Sequence, residues 1–221
     1  MLRNNVILFF IRTIIIVMSR EHDQDTRQLL IESAKKEFLK KGYNKASLRS
    51  ICADAGLTTG ALYFFFENKA DLFAAIVDPP LNGLKQILFQ HFKEDVEEAS
   101  KLDSFDGVDM DHSEISDRIV GHIYDNYDSF MLLLTASENT VYENVVDEFV
   151  TLVENSIPPM MASLKGYTYD KYMSHWMAHI SIDAYIHVIE HERDVKKAKK
   201  RLSSILNYLV MGWVQLVMVK K

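Results

Sequence analysis

The chain has 221 residues, 48% of them hydrophobic, with only 8 Gly and 4 Pro; this allows one or two domains with a real core and excludes a low-complexity polymer. A single cysteine, Cys52, excludes an intrachain disulfide and fits a reducing cytoplasm. The net charge of −6 argues against a nucleic-acid partner only until it is divided: residues 19–76 hold nine Lys/Arg against eight Asp/Glu, and residues 77–221 hold 14 against 23. Few breakers and long periodic segments predict an all-α fold.

The first segment is the oddest. Val6 to Met18, VILFFIRTIIIVM, is apolar except for Arg12 and Thr13, which suggests a signal peptide or membrane anchor. Against this, a spanning helix needs ~20 residues and a central Arg costs ~2.5–3.5 kcal/mol on insertion. No small-residue cleavage site follows. Met18 opens a polar lead-in, SREHDQDTRQ. Residues 1–18 therefore read as an apolar extension, residues 1–17 arising from start-site choice, and no membrane partner is expected.

From Thr26 to Lys41 the set Leu30, Ile31, Ala34, Phe38 and Leu39 predicts an amphipathic helix. Gly42 ends it, and Tyr43 folds back toward the same core. The chain is organised around the next stretch, Ser47 to Phe66. Ser47 can cap a helix; Leu48, Ile51, Cys52 and Ala55 give it one apolar face. Gly56 supplies a positive φ to stop it, and Thr58 caps a second helix two residues later. This is a helix-turn-helix, whose second helix is built to enter the major groove of DNA. In that helix Leu62 and Phe66 face the core, while Thr59, Gly60, Ala61, Tyr63 and Phe64 occupy the other face. Cys52 falls on the core face and reads as a buried small residue. Asn68 caps a further helix, with Asp71 three residues on, and Pro79-Pro80 is expected to stop it near Asp78. Lys45 and Arg49, beside the motif, and Lys69 are placed for phosphate.

These residues carry a family resemblance. The run Thr26 to Val77, with AxxxFxxxGY at Ala34 to Tyr43, ASLRSICADAGLTTGALYFFFENKADL at Ala46 to Leu72, and GW at Gly212-Trp213, resembles the TetR family of bacterial transcriptional regulators. The resemblance implies a homodimer with a three-helix DNA-binding domain, here 24–78, and a helical effector-binding and dimerisation domain, here 79–221. Together with the residue pattern it marks Lys45, Ser47, Arg49, Thr58, Thr59, Gly60, Ala61, Tyr63, Phe64 and Lys69 as the DNA-binding set. The family often has a polar or basic residue at the position of Phe65, and commonly His, Tyr or Arg at that of Phe64. That departure puts one or two phosphate contacts in question.

Leu81 to Ser100 predicts the next helix. Lys101 to Ser113 reads as a mobile, solvated loop; its Asp103, Asp106, Asp109 and Asp111 lack the order of a calcium loop. Helices are expected over 114–127, 129–136 and 142–155, with Pro158-Pro159 ending the last. Between them, Glu138, Thr140 and Tyr142 are hydrogen-bonding groups beside an apolar run, either a small-molecule pocket or a helix break satisfying its own caps. With Trp176 they form the expected ligand-binding set, for an apolar or amphipathic effector.

Tyr167 to Glu192 predicts a long helix with His175, His179, Asp183, His187 and His191 at intervals of four. Two His at that spacing are half of a metal site, but a step of four drifts by about 40° per repeat, so the five cannot converge on one ion. No metal or cofactor is expected. The last helix, 194–219, is apolar around most of its circumference, which marks association. Ile186, Leu202, Ile205, Leu209, Trp213 and Leu216 are the expected dimerisation residues.

The reading is a cytoplasmic, non-enzymatic, ligand-responsive repressor that binds a palindromic operator as a dimer and is released by a small molecule. The alternatives are a metal-dependent helical enzyme using the His175–His191 helix and a helical adaptor that does not bind DNA.

Overall fold

The computed structural model describes the backbone of residues 2–101, 113–164 and 166–220 and the side chains of 22–101, 113–164 and 166–212. The fold is helical throughout, apart from one short ribbon. In chain order it runs α1 (Leu2–Lys45), α2 (Leu48–Asp54), α3 (Thr59–Phe65), α4 (Lys69–Ala99), α5 (Ser113–Asp125), α6 (Tyr127–Thr135), α7 (Val145–Ser163), β1 (Tyr167–Tyr169), α8 (Lys171–His191), α9 (Val195–Val217) and β2 (Met218–Lys220). The loop expected over 101–113 lies almost wholly outside the described residues, as do the side chains of the apolar extension. No helix among the described residues is long and apolar enough to cross a membrane.

Gly42 breaks α1 as its sequence demands, at φ 73° and ψ 165°. The chain then reverses, stacking Tyr43 on Phe38 with ring centroids 5.9 Å apart and setting its edge against Phe73 at 5.3 Å. Leu30, Ala34, Phe38, Ile51, Leu62 and Leu72 complete a core from which water is excluded. Fully burying a large apolar side chain of this kind is worth about 1.5–3 kcal/mol.

Two expected boundaries fail in the same way. Pro79-Pro80 does not end the helix begun at Lys69; α4 runs on to Ala99. Pro158-Pro159 likewise lies inside α7. An interior proline removes one helical hydrogen bond and costs about 3 kcal/mol, so something must offset it. In α4 it is packing: Leu72, Phe73, Ile76 and Val77 before the pair, and Leu81, Leu84 and Leu88 after it, are all buried along one helix. His122 Nε2 lies 2.7 Å from the Pro80 carbonyl oxygen. A Cβ at Gly83 would lie only 2.6 Å from Cε1 of His122, so this position needs glycine for α5 to come so close. In α7 both prolines are exposed, and Ile157 and Met161 hold the helix on either side of them.

One hydrophobic core therefore runs unbroken from Leu30 on α1 to Ile189 on α8. The expected division after residue 78 falls in the middle of α4 and coincides with no element end. Two further contacts tie the halves together. Tyr43 N–H donates to the Ala136 carbonyl at 3.2 Å, and the Tyr142 hydroxyl donates to Asp78 Oδ1 at 2.7 Å.

α8 and α9 form an antiparallel hairpin closed at its open end by the pairing of β1 with β2, Thr168 opposite Val219. The helix expected from Tyr167 thus starts four residues later, because positive φ at Gly166 turns the chain into a strand first. Asp170 Oδ1 then accepts from Met173 N–H at 3.0 Å and caps α8.

Candidate nucleic-acid interface

The helix-turn-helix is built by local rules. Ser47 Oγ accepts from Ser50 N–H at 3.4 Å at the start of α2. At its end Gly56 takes φ 68°, Leu57 N–H bonds the Cys52 carbonyl at 2.9 Å and Gly56 N–H bonds that of Ala53 at 3.2 Å. This pair of bonds is the Schellman stop. Thr58 Oγ1 then accepts from Ala61 N–H at 3.1 Å and starts α3. Cys52 is buried and its thiol is pushed up by desolvation, as befits an inert core residue.

α3 is fastened by Leu62 and Phe66, both buried. The opposite face is open: Thr58, Thr59 and Gly60 are exposed, Ala61 is half-buried, and Tyr63 and Phe64 are 58% and 73% exposed. Lys45 at the end of α1 and Arg49 in α2 are exposed and form no ion pair among the described residues. Of the ten expected DNA-binding residues, eight are exposed and Ala61 is half-buried.

Lys69 is the tenth, and its ammonium is turned inward. Nζ donates to the carbonyls of Tyr43, Asn44 and Ala46 at 2.8, 3.3 and 3.3 Å, and it lies 4.6 Å from the Tyr43 ring centroid. The reason lies in the end of α1 at Lys45, after which the carbonyls around Tyr43 to Ala46 have no helical N–H four residues on. Lys69 caps them and thereby fixes α4 to α1.

Glu37 is not in the expected set, yet it holds α2 in place. Its carboxylate accepts from Lys41 Nζ at 2.7 Å, from Ser47 N–H at 3.1 Å and from the Ser50 hydroxyl at 3.2 Å. The bond from Lys41, with those from Ser47 and Ser50, holds the carboxyl below its ordinary range, against a partial desolvation that raises it. In sequence Glu37 and Lys41 look like any solvated pair four residues apart. Replacing Glu37 by glutamine is expected to lower stability at neutral pH by about 1–2 kcal/mol, the range for hydrogen bonds to a partly screened charge. Because the folded-state pKa is depressed, this stabilisation is complete above the unfolded carboxylate pKa and fades as pH falls through the folded one. Thermal melts at neutral pH and in acid below the carboxylate range check this: the gap between parent and E37Q must shrink in acid.

None of the expected ligand-binding residues Glu138, Thr140, Tyr142 and Trp176 lines the cavity found between α4 and α8. Thr140 donates to the Ser137 carbonyl at 2.6 Å and accepts from Tyr142 N–H at 3.1 Å, so the turn satisfies itself. Glu138 is exposed, and Trp176 is 44% exposed on the outside of α8. Burial, with the Asp78 carboxylate adding to it, pushes the Tyr142 phenol up. The cavity lies deeper. It measures about 100 Å³ and is walled by side chains of α4 to α8, among them Leu88, Ile123, Phe130, Leu133, Phe149 and Ile186, with no polar atom on its surface. Sequence reasoning misses it because each of these residues reads as ordinary core.

Of the expected dimerisation residues, Ile186 is half-buried and lines the cavity, and Leu202 is fully buried with Val120, Val188 and Ala198 within its own chain. Ile205 packs beside them, and Leu209 is half-buried; the side chains of Trp213 and Leu216 lie outside the described residues. α9 shows Tyr208 and Met211 to solvent instead, 78% and 68% exposed, and α8 shows Tyr172 and Trp176. The stripe misleads because a helix apolar all round does not declare which side packs inward.

The histidines of α8 separate into two pairs, His175 with His179 and His187 with His191, ring centroids 4.7 and 4.4 Å apart. His175 Nδ1 meets Glu154 at 2.9 Å, and His191 Nδ1 lies 2.8 Å from the carbonyl oxygen of His187. Among the described residues no three His, Cys, Asp or Glu are grouped to hold a metal ion.

A short capped helix held out from a three-helix core, flanked by exposed cations, defines a helix-turn-helix DNA-binding domain. Residues 30–76 match the family profile described as "Bacterial regulatory proteins, tetR family", so this segment is similar to the DNA-binding domain of that family. It is 33% identical over 95 residues to the HTH-type transcriptional regulator TtgR of Pseudomonas putida, a match covering 34% of this chain and 45% of that one. The chain thus spans less than half the length of the curated relatives it matches. Over the whole fold it is similar to a transcriptional regulator (TerR/AcrR family) from Aquifex aeolicus VF5, at TM-score 0.58 and 21% identity, covering 83% of this chain and 99% of that one. It is also similar to the SmeT–triclosan complex, at TM-score 0.54 and 20% identity, covering 89% and 93%.

Proposed function

We propose that this protein is a ligand-responsive transcriptional repressor, with residues 24–78 binding DNA and residues 79–221 binding effector and partner subunit. The observation that carries the reading is α3, anchored by Leu62 and Phe66 with Thr59, Gly60, Tyr63 and Phe64 exposed, while Lys45 and Arg49 are exposed on α1 and α2. A dimer places two such helices in successive major grooves, about 34–36 Å or a multiple apart. The surface we assign to that dimer is the outer side of the α8–α9 hairpin. It carries large exposed apolar side chains on both helices, Tyr208 and Met211 on α9 and Tyr172 and Trp176 on α8.

The effector reading rests on α4. Leu84 and Leu88 line the cavity, while Leu72, Phe73 and Ile76 on the same helix enter the core that holds α3. An apolar ligand swelling the cavity would tilt α4 and move the recognition helices off the operator spacing. Inverting a 99:1 population this way takes about 5.5 kcal/mol of differential affinity. A triclosan-bound relative of the same fold supports an aromatic, amphipathic effector here.

The test is binding to the intergenic DNA beside the protein's own gene across a salt series, with a Lys45→Ala, Arg49→Ala variant. The parent is expected to bind tightly with a steep salt dependence. The variant should bind more weakly, with a slope shallower by about 0.9 for each phosphate that is no longer neutralised. Absence of retention on any DNA, even at low salt, would favour the adaptor and sink this reading.

A further inference from the structure

If α3 reads DNA, its chemistry restricts what it can read. Thr59 to Phe65 is TGALYFF, with no Arg, Lys, Asn, Gln, Asp, Glu or His. The bidentate contacts that recognise guanine through O6 and N7, or adenine through N6 and N7, cannot come from this helix. What it offers is a few hydroxyls, which discriminate weakly, and apolar surface. In the major groove the one apolar group on a base edge is the thymine 5-methyl.

Two residues are shaped for it. Phe64 lies opposite the buried side of α3 and is 73% exposed. Its ring packs edge to face on Phe65, centroids 4.9 Å apart at 88°. Phe65 is itself packed against the core, so Phe64 is braced from one side and open on the other. Gly60 lies one helical turn before it on the same stripe. Nothing in the fold requires glycine there: its φ is not positive, and an added Cβ would meet only Thr58 Oγ1 at an ordinary 3.7 Å. Glycine inside a helix is a poor choice against alanine unless the missing side chain is useful. Here its absence opens a notch beneath a ring that leans toward the helix N-terminus, as helical side chains do.

We propose that Phe64 and the notch at Gly60 form a thymine-methyl reader, so that each operator half-site carries a thymine whose 5-methyl packs between them. The proposal rests on the DNA-binding reading above. Specificity here comes from apolar contact, while Lys45 and Arg49 supply affinity through phosphate without regard to sequence.

The test uses the full chain. Duplexes are selected from a randomised pool, and each thymine of the selected half-site is replaced by deoxyuridine, which removes only the methyl. One thymine per half-site is expected to lose about fourfold in affinity on this change, the worth of one buried methyl group. Phe64→Ala should bind the selected site more weakly and feel the same replacement by less than about twofold, roughly the limit of near-additive behaviour. Gly60→Ala should melt higher than the parent yet bind more weakly, which separates a reading defect from a folding one. If every thymine tolerates deoxyuridine, or if Phe64→Ala retains the full penalty, the reader is wrong while DNA binding stands. If no duplex is selected above background, both readings fall together.

Discussion

Replacing Lys69 with methionine is expected to lower the stability of the amino-terminal domain by about 3 kcal/mol, more than the change of any other exposed or half-exposed cation in it. The ammonium donates to the carbonyls of Tyr43, Asn44 and Ala46 and sits over the Tyr43 ring. A hydrogen bond to a charged group contributes about 1.5–3 kcal/mol, and three that share one donor do not add fully. Methionine keeps most of the apolar stem, so the loss reports the charge and its bonds and not the packing. Arginine should rescue little, since a planar fork cannot aim at three carbonyls converging on a point. Urea unfolding followed by circular dichroism would register a lower midpoint at unchanged slope. Should K69M unfold with the parent and lose only affinity for DNA, the ammonium leaves the carbonyls to serve phosphate, and its capping role would be secondary.

Lys69 also marks where a sequence is readable and where it is not. The helix-turn-helix is legible because its signals are local: Ser47, Gly56, Thr58 and Asn68 each act within three residues of themselves, and each forms the cap or turn expected of it. Lys69 reaches back 26 residues to Tyr43, and Glu37 forward ten and 13 to Ser47 and Ser50. A distance in sequence of that order carries no pattern to read. By charge alone Lys69 belongs with phosphate and Glu37 with water. In the fold each is bonded to groups of its own chain in place of solvent.

The prolines show the opposite failure, a strong local signal overruled from outside. Pro79-Pro80 is a strong helix stop by local rules, yet α4 continues because Phe73, Ile76, Leu81 and Leu84 pack along its length. This continuity matters for function, since an uninterrupted α4 joins the cavity to the core under α3. The cavity itself is hidden from sequence for a third reason. Its walls come from five helices, and Leu88, Ile123, Phe130 and Leu133 have the same composition and spacing as solid core. Only the way the helices diverge leaves a space, and no residue type records that. The turn at Glu138 to Tyr142 stands out in sequence because it is polar, and in the fold it is bonded to itself.

Replacing Leu88 with tryptophan is accordingly expected to abolish the effector response while leaving operator binding within about threefold of the parent, a shift of well under the 1.4 kcal/mol that a tenfold change represents. Leu88 is buried and lines the cavity, so an indole there would fill space that is otherwise empty. Inserting bulk into a tight core costs about 1–3 kcal/mol, but here the added ring enters a void of about 100 Å³, and little or none of that cost should appear in thermal melts. An apolar fluorescent probe, N-phenyl-1-naphthylamine, provides the direct measurement: its affinity should fall at least about tenfold in L88W, which by the free-energy scale of binding is about 1.4 kcal/mol or more. Leu88→Ala moves the other way, enlarging the cavity at a cost of about 2–5 kcal/mol and admitting longer ligands. If L88W binds the probe as tightly as the parent, the effector site is elsewhere, and the polar turn beside Asp78 regains its claim. If the probe is excluded while operator release by effector persists, the cavity is an unused packing defect and α4 is not the lever. Only joint loss of probe binding and release, with DNA affinity intact, ties the empty space between α4 and α8 to the control of α3.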